Sequence, residues 1–301
     1  MTRPAILHMV TPEANLSPFD ANMAIDAGWE HCLAYNNLEL AEISGLTQDA
    51  IFSRGPKGVR RTGMFVGGRD QFLAMDMLDA ARRSMVPPFE ISVFADPSGA
   101  FTTAAGMIAC VEDSLSRVEE EGLANRKVLV FGGTGPVGSV CGTLASRAGA
   151  DVSIVSHESL TKANEVAQQC NERFGTNLEG ADGSNDGKIH TLLADAEVVF
   201  GAAKAGIQVL NAGHLQYAAR LLVACDVNAV PPEGIEGVGV TSSSEPLEAR
   251  SGCARAIGAL AVGNVKYKAQ QALLKQMLTT ETPVYLHFDH ALEAARGNAG
   301  S

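Results

Sequence analysis

The chain has little positive charge. Its 301 residues include 23 lysines and arginines against 34 aspartates and glutamates, so the formal net charge at pH 7 is -11. No block of lysine and arginine interrupts this acidic balance. A protein with such a field repels phosphate backbones, and the composition therefore argues against nucleic acid as a partner.

The sequence lacks the marks of an exported or membrane protein. It has no CxxC spacing, and its six cysteines are scattered, several of them inside apolar runs. The stretch MTRPAILHMVTPEANLSPFD has only a short apolar segment before prolines and an acid, too short for a signal peptide or a membrane span. We therefore expect reduced thiols in the core, no membrane partner and a cytoplasmic location.

Two common catalytic patterns are also missing. No HExxH pattern is present, and the one close histidine pair, His287 and His290, offers two ligands without a third. No GxSxG elbow marks a serine nucleophile. We predict that the protein holds no metal ion and uses no serine nucleophile.

What the sequence does contain is a regular alternation of strand-like and helical patterns. The first series reads AILHMV, PFDANMAIDAGW, GMFVGG, QFLAMDMLDAARRSM, EISVFAD and TTAAGMIACVEDSLSRV. Such alternation predicts βαβ units and a parallel sheet covered by helices, which is the α/β class. The length is close to that at which single cores split, so we expect two domains.

A second series follows the polar segment EEEGLANRK (119–127). Its predicted strands are KVLVFGG, DVSIVSH, EVVFGAA, LLVACDV and GVGVTSS, the pattern of a nucleotide-binding sheet. A long helix is predicted after SGCARAIG, and the final PVYLHFDHALEAA leaves room for a return to the first domain. We predict a discontinuous first domain (1–120 with 267–301) and a dinucleotide-binding Rossmann domain (121–266).

A glycine-rich loop stands directly between a buried strand and a helix of small residues. Its residues are Gly133, Thr134, Gly135, Pro136, Val137 and Gly138. In this context the glycines allow a tight turn, close approach to a pyrophosphate and close packing of the helix on the strand. The loop predicts a bound dinucleotide, and the alternative is a glycine-rich turn without a ligand.

The end of the next strand bears on the choice of dinucleotide. An NAD-preferring fold usually places an acid there to bind the ribose 2′-hydroxyl, and this chain has Ser156. His157 and Lys162 offer donors to a 2′-phosphate, although Lys162 is equally well a solvated helix lysine. Glu158, two positions on, would restore a contact of the NAD type. The sequence favours NADP and allows NAD.

A strand-to-helix corner, FADPSGAFTTAAGM, carries the polar groups of the first domain. Its hydroxyl and carboxylate groups, with the acid of SPFD, suit a ring that bears amino and amide N–H groups. Plain capping of the turn and helix by Asp96 and a threonine is the alternative. The candidate substrate-binding residues are Phe19, Asp20, Asp96, Ser98, Gly99, Thr102 and Thr103.

These segments together resemble a known family. SPFDANMAIDAG, GLTQDAIFSRGPKGVRRTGMFVGGRD, FADPSGAFTTAAG, FGGTGPVG, LLVACDVNAVPPEGIEGV and GALAVGNVKYK are similar to the NAD(P)-dependent methylene-tetrahydromethanopterin dehydrogenases of methylotrophic bacteria. The similarity runs over nearly the whole chain. FADPSG and DVNAVPP bring it closer to the branch dedicated to tetrahydromethanopterin than to the relative that also uses tetrahydrofolate.

The resemblance implies a function. Members oxidise the one-carbon unit of a reduced pterin from methylene to methenyl in cytoplasmic formaldehyde oxidation. They carry an N-terminal pterin-binding domain beside a Rossmann domain, with the pterin in the cleft, and they are homo-oligomers. The reaction removes a hydride from a carbon between two nitrogens, so it requires positioning rather than an acid–base triad.

The resemblance also suggests residue roles. Lys266 matches the position of the family's proposed active-site lysine, and we expect it to contact a pterin carbonyl or orient the substrate, with Asp20 as the second catalytic candidate. The alternative is that Lys266 and Lys268 are surface lysines. Ala202, at the end of one Rossmann strand, is a candidate cofactor residue. Asp226 and Asn228, at the end of another, are candidate cofactor residues that we expect to contact nicotinamide, ribose or pterin, although Asp226 could equally cap a turn.

Three rival functions remain open from the sequence. A methylene-tetrahydrofolate dehydrogenase would share the chemistry with a different carrier. A redox sensor would bind NADP without turnover. A hydroxy-acid or amino-acid dehydrogenase would need a basic carboxylate clamp, for which Arg54, Arg60 and Arg61 are the candidates.

Overall fold

The computed structural model describes residues 3–117 and 122–300, and the chain divides into two compact units. The first unit comprises Met1–Thr102 and Tyr267–Ala294, and the second comprises Thr103–Lys266 and Ala295–Ser301. The predicted domain boundary at 120/121 and part of the predicted hinge 119–127 lie outside the described residues.

Helices and strands alternate along most of the described chain, except that α3 follows α2 and that β9, β10 and β11 are consecutive. Its first part forms β1 (Ile6–Val10), α1 (Pro18–Asp26), β2 (His31–Tyr35), α2 (Ile43–Phe52), α3 (Pro56–Val59), β3 (Thr62–Val66), α4 (Gln71–Arg83), β4 (Ser92–Ala95) and α5 (Ala100–Ser116). The middle part forms β5 (Lys127–Phe131), α6 (Pro136–Arg147), β6 (Asp151–Ser156), α7 (Leu160–Phe174), β7 (Glu179–Asp182), α8 (Asp186–Leu193), β8 (Val198–Gly201), α9 (Ala212–Leu215) and β9 (Val223–Asp226). The last part forms β10 (Ser243–Pro246), β11 (Arg255–Ile257), α10 (Ala259–Thr279), β12 (Tyr285–Leu286) and α11 (Phe288–Arg296).

The first unit is built on a parallel sheet of five strands in the order β2-β1-β3-β4-β12. Counted along the unit this is the order 2-1-3-4-5 of flavodoxin-like folds. Strands β3 and β4 are buried throughout, as expected for a sheet covered on both faces. The order reverses between β1 and β3, and sheets of this kind bind ligands outside the carboxyl ends of the strands at that point.

The second unit is built on a sheet of seven strands in the order β7-β6-β5-β8-β9-β11-β10. Six of them are parallel and follow the Rossmann order 3-2-1-4-5-6, and β10 adds an antiparallel edge. The predicted α/β class and Rossmann-type sheet are confirmed. The carboxyl ends of β5 and β8 form the point at which the order reverses.

One predicted strand is wrong. Residues 237–243 (GVGVTSS) form turns up to Ser243, because Gly237 has a φ of +85° and Ser242 N–H closes a turn on the carbonyl of Gly239 at 2.9 Å. The sixth parallel strand is instead β11, three residues within the segment that leads into the long helix. Alternation of valine with glycine resembles a strand pattern, but glycine also permits the turns seen here.

The chain passes from one unit to the other within helices. The divisions at 102/103, 266/267 and 294/295 fall inside α5, α10 and α11. Of the helices in the described ranges, none is long and apolar enough to cross a membrane.

Candidate functional site

The glycine-rich loop and Gly132 before it join β5 to α6 in the second unit, and Gly132 and two glycines of the loop are required by the protein itself. A Cβ atom on Gly132 would lie 2.5 Å from the backbone nitrogen of Ala203, and one on Gly133 would lie 2.6 Å from Cβ of Ile154. A Cβ on Gly138 would overlap the carbonyl oxygen of Gly132. Close packing of the loop against its neighbours therefore explains these three glycines without any ligand.

Gly135 has no such explanation. A Cβ atom there would meet only the carbonyl oxygen of Gly132, at 3.4 Å, and the φ of -85° is ordinary for any residue. Gly135 precedes Pro136, the first residue of α6, at the helix end where unsatisfied N–H groups and the helix dipole favour an anion. A glycine at this place allows the close backbone approach that a pyrophosphate requires in dinucleotide-binding folds, and we name the loop of residues 133–138 the cradle.

The neighbouring strand β8 ends beside this cradle. The backbone N–H of Ala202 donates to the carbonyl of Phe131 at 2.9 Å, and a Cβ on Gly132 would lie 2.6 Å from the carbonyl carbon of Ala202. The structure thus brings the candidate residue Ala202 to the glycine loop. Thr134, Gly135, Pro136 and Val137 are all half-buried at this edge.

The turn after β6 holds the residues expected to choose the dinucleotide. Ser156 is buried, and its Oγ accepts the backbone N–H groups of Glu158 at 3.1 Å and Ser159 at 3.4 Å. The Oγ atom of Ser156 therefore stabilises the turn as a hydrogen-bond acceptor, and the hydroxyl hydrogen can still be donated. His157, Glu158 and Lys162 are exposed, and Ser159 caps α7 by accepting the N–H of Lys162 at 3.2 Å.

Asp226 and Asn228 organise the loop that follows β9. The two carboxylate oxygens of Asp226 accept the backbone N–H groups of Asn228 and Ile235, each at 3.1 Å. Asn228 accepts the N–H of Gly206 at 3.1 Å and donates to the carbonyl of Pro232 at 2.7 Å. Burial raises the pKa of Asp226, although these N–H bonds oppose that change. These contacts agree with the alternative role of Asp226, in which its carboxylate caps the turn that follows β9.

In the first unit, the corner after β4 is closed by Asp96. One oxygen of this buried carboxylate accepts the backbone N–H groups of Phe101 at 2.9 Å and Thr102 at 3.2 Å, and the other accepts the hydroxyl of Thr102 at 2.6 Å. Asp96 therefore caps α5, the alternative that its sequence context left open. Gly99 adopts a φ of +65°, which turns the chain into the helix.

Ser98 ties this corner to the end of β3. It is exposed, its φ is +51°, and its hydroxyl donates to the carbonyl of Gly68 at 2.8 Å. The loops that follow β3 and β4 therefore meet at the carboxyl edge of the sheet, next to the point where the strand order reverses. This is the edge at which sheets of this order bind ligands.

Asp20 belongs to the helix that follows β1 at the same edge. It lies in the first turn of α1, is 3% exposed, and accepts a hydrogen bond of 2.9 Å from Nε2 of Gln270, which is fully buried. Phe19 is 48% exposed. The sequence analysis did not identify Gln270. The pattern that could have indicated it is a polar residue on a face of α10 that is otherwise apolar and is formed by Ala269, Leu273 and Leu274.

Thr103 and Lys266 lie in the second unit, on the parts of α5 and α10 that belong to it, and these parts touch. A Cβ on Gly106, one turn after Thr103 on α5, would lie 3.0 Å from the carbonyl oxygen of Val262 and 3.4 Å from the backbone nitrogen of Lys266. Thr103 and Lys266 are half-buried, whereas Lys268 is exposed. The half-buried position of Lys266 distinguishes it from a fully solvated surface lysine.

The proposed carboxylate clamp finds no support. Arg54 is nearly buried and donates to Oγ1 of Thr62 and to the carbonyl of Pro4, each at 2.9 Å. Arg61 donates to the carboxylate of Glu30 at 2.8 Å. Both guanidinium groups are used at the amino edge of the first sheet, away from the carboxyl ends of its strands.

The two histidines near the C-terminus form a hydrogen bond with each other at the start of α11. The Nδ1 atom of His290 accepts the backbone N–H of His287 at 3.3 Å. Across residues 3–117 and 122–300, no group of three or more histidine, cysteine, aspartate or glutamate side chains could hold a metal ion.

Solved structures share this fold over nearly the full chain. Quinate dehydrogenase from Corynebacterium glutamicum, in complex with NAD, has a TM-score of 0.55 at 13% identity and is matched over 97% of this chain and 98% of its own. Shikimate 5-dehydrogenase from Listeria monocytogenes, in complex with shikimate and NAD, has a TM-score of 0.53 at 14% identity, over 96% of each chain. At these identities the likeness concerns the fold alone.

Sequence relatives are more specific. Residues 18–98 match the family described as "Methylene-tetrahydromethanopterin dehydrogenase, N-terminal". The "Bifunctional protein MdtA" of Methylorubrum extorquens strain AM1 is 29% identical over 93% of this chain and 94% of its own. The NAD(P)-dependent methylenetetrahydromethanopterin dehydrogenase of the same strain is 42% identical over 98% of this chain and 99% of its own. With a relative so similar over both full lengths, the chain belongs to the methylene-tetrahydromethanopterin dehydrogenase family.

Proposed function

We propose that the chain oxidises methylene-tetrahydromethanopterin to the methenyl form by transferring a hydride to NAD(P), as a step of formaldehyde oxidation. The observation that carries the proposal is the 42% identity, over nearly the whole of both chains, to an enzyme named for this reaction. The cradle at Gly135 supports the dinucleotide half of the reaction independently, because no contact among the described residues requires a glycine there.

The second unit supplies the residues for the dinucleotide, whose nicotinamide accepts the hydride when bound. We assign the pyrophosphate to the loop at Gly135 and the start of α6, and the adenosine ribose to the turn of Ser156, His157 and Lys162. Ala202 lies beside the loop, and Asp226 and Asn228 hold the shape of the loop after β9. We assign them roles in placing the dinucleotide.

The first unit supplies the residues for the pterin at the carboxyl edge of its sheet. Asp20 offers a carboxylate to the N–H edge of the ring, and Phe19 offers an exposed aromatic face. Asp96 acts as a positioning residue, because both of its oxygens are used to fix the start of α5 and the Thr102 hydroxyl. Ser98 and Gly99 shape the corner between them.

The chemistry requires little proton transfer. The bridging carbon lies between two nitrogens, and loss of its hydride leaves an amidinium cation stabilised by resonance, so no proton leaves that carbon. A carboxylate held in a fixed position, such as that of Asp20, stabilises the positive charge that develops on the pterin. The carboxylate need not reorient during the reaction, because the fold already holds it in place. We assign Lys266 to a pterin carbonyl, where it orients the substrate, away from the carbon that becomes the cation.

The cofactor, location and assembly are part of the same proposal. We propose NADP as the preferred dinucleotide with NAD accepted, since Ser156 stands where an NAD-type acid is usual and Glu158 is exposed two positions on. We also propose a cytoplasmic homo-oligomer, supported by the scattered cysteines and by the family resemblance.

The test is a spectrophotometric assay with methylene-tetrahydromethanopterin and methylene-tetrahydrofolate, each with NAD and NADP. We expect turnover with methylene-tetrahydromethanopterin and either dinucleotide. Turnover with the folate substrate alone would support a folate-linked dehydrogenase. Dinucleotide binding without turnover of either carrier would support a redox sensor and overturn the proposal.

A further inference from the structure

The end of β7 lies directly beside the turn assigned to the adenosine ribose. Ser156 and Asp182 are register partners at the carboxyl ends of the parallel strands β6 and β7. The backbone N–H of Gly183 donates to the carbonyl of Ser156 at 2.8 Å, and a Cβ on Gly183 would lie 2.6 Å from Cγ1 of Val155. Neighbouring strands are about 4.8 Å apart, so Asp182 is the first acid beside Ser156 on this side.

Asp182 is held in an ion pair. The ammonium group of Lys188 lies 2.5 Å from Oδ2 of Asp182 and 3.1 Å from Oγ of Ser184, whose backbone N–H donates to Oδ1 of Asp182 at 2.9 Å. The side chain of Lys188 is 47% exposed. These contacts, Lys188 first, lower the pKa of Asp182 to about 2, so its carboxylate is ionised at neutral pH.

We propose that the Asp182–Lys188 pair is a determinant of dinucleotide choice, in which Lys188 attracts the ribose 2′-phosphate of NADP and Asp182 limits that attraction. The proposal rests on the proposed function, in which the ribose occupies the turn at Ser156. The exposed groups His157, Lys162 and Lys188 near this turn favour a phosphate, and the exposed Glu158 and the half-buried Asp182 oppose it, so the set is nearly balanced. Such a balance suits a site that accepts both dinucleotides.

A charge near the ribose acts most strongly on the 2′-phosphate and less strongly on the pyrophosphate that NAD and NADP share. NAD and NADP differ only by the 2′-phosphate, and interactions between solvent-exposed charges fall off within about 10 Å at ordinary salt. A change at Lys188 or Asp182 therefore affects NADP more than NAD, and its effect declines as salt is added. A purely structural role of the pair would change the affinity for both dinucleotides equally.

The experiment measures dissociation constants of NADPH and NADH by nicotinamide fluorescence, at low and high salt, with no carrier present. For Lys188→Gln we expect NADPH binding to weaken by roughly 3- to 10-fold, and for Asp182→Asn we expect it to strengthen by a similar factor, with a clearly smaller change for NADH in each variant. The matched control is Asp195→Asn, which breaks the Lys127–Asp195 pair of 2.6 Å at the amino end of β5, and we expect it to leave both constants unchanged.

The outcomes separate this inference from the function on which it rests. An unchanged NADPH constant in Lys188→Gln, or equal changes for NADH and NADPH, would overturn the inference while leaving the dehydrogenase assignment in place. A wild-type protein that binds neither NADPH nor NADH would instead overturn the proposed function.

Discussion

Gln270 donates a hydrogen bond of 2.9 Å to the carboxylate of Asp20, and the two residues are 250 positions apart in the sequence. Both side chains are buried within the first unit. A buried hydrogen bond of this kind restrains both partners, because breaking it would leave a buried polar group without a hydrogen-bond partner. The carboxylate that we assign to the pterin is thus positioned by a residue of the long helix α10.

Replacing Gln270 by leucine tests this positioning. We expect Gln270→Leu to lower the free energy of unfolding by about 1–3 kcal/mol, measured by urea denaturation, and to raise KM for methylene-tetrahydromethanopterin. The control is Gln271→Leu, which removes a bond of 2.9 Å to the carbonyl of Met23 from a half-buried neighbour. Equal effects of the two variants on KM would show that Gln270 has only a structural role.

The glycines of the loop offer a second test, since one of them is not needed by the fold. We expect Gly135→Ala to leave the thermal midpoint nearly unchanged and to weaken NADPH binding, because the methyl group would occupy the ligand's space. Gly138→Ala should instead destabilise the protein, since its Cβ would overlap the carbonyl of Gly132. The checks are thermal denaturation and fluorescence titration, and unaltered NADPH affinity in Gly135→Ala would argue against the cradle.

Lys266 provides a test of substrate orientation. We expect Lys266→Met to reduce kcat on the order of 100-fold, the usual cost of misplacing a reacting group by about 1 Å, while the dissociation constant of NADPH stays near wild type. Steady-state kinetics and fluorescence titration measure the two quantities. Lys268→Met, two positions on and exposed, is the matched control. Unchanged turnover in Lys266→Met would remove the lysine from the site.

Asp226 predicts a pH dependence of stability with a definite sign. Burial raises its pKa above the ordinary 3.8, so the folded protein binds this proton more tightly than the unfolded chain does. The carboxyl group therefore costs stability as the pH rises from 3.8 through its folded pKa. Asp226→Asn removes this titration, so the stability of wild type relative to Asp226→Asn should fall as the pH rises through that interval.

Asp182 gives the opposite sign and serves as the control for that measurement. Its pKa is lowered to about 2, so it contributes stability that is present above 3.8 and is lost as the pH falls towards 2. Denaturant unfolding at several acidic pH values should show the Asp182→Asn and Asp226→Asn differences changing in opposite directions. Parallel changes would contradict the environments described for the two groups.

Local patterns in the sequence predicted the parts of the fold that depend on neighbouring residues. The strand, glycine loop and helix around Gly135 follow one another within a short segment, and the helix of Gln71–Arg83 shows its apolar face directly. The role of Asp96 as a cap was open from sequence, because the same carboxylate next to a helix start suits a ligand equally well. Only the contacts with Phe101 and Thr102 show how its oxygens are used.

The features that sequence reasoning missed depend on distant partners or on very short segments. The role of Gln270 depends on its hydrogen bond to Asp20. The two residues are far apart in the sequence, so no local pattern indicates that they are partners. Strand β11 has three residues and pairs with β9, so its identity comes from the sheet rather than from its own pattern. The valines among glycines at 237–243 resemble a strand locally, yet backbone turns prevail there.

The late position of β12 has a consequence for the order in which the protein is made. The last strand of the first sheet, Tyr285–Leu286, and the carbonyl of Leu274 that accepts the indole N–H of Trp29 at 3.1 Å leave the ribosome after the whole segment 103–266. Domains usually fold as they emerge, with the N-terminal one first. Here Trp29 and the β4 edge of the first sheet stay uncovered until the segment that contains Leu274 and β12 has been translated.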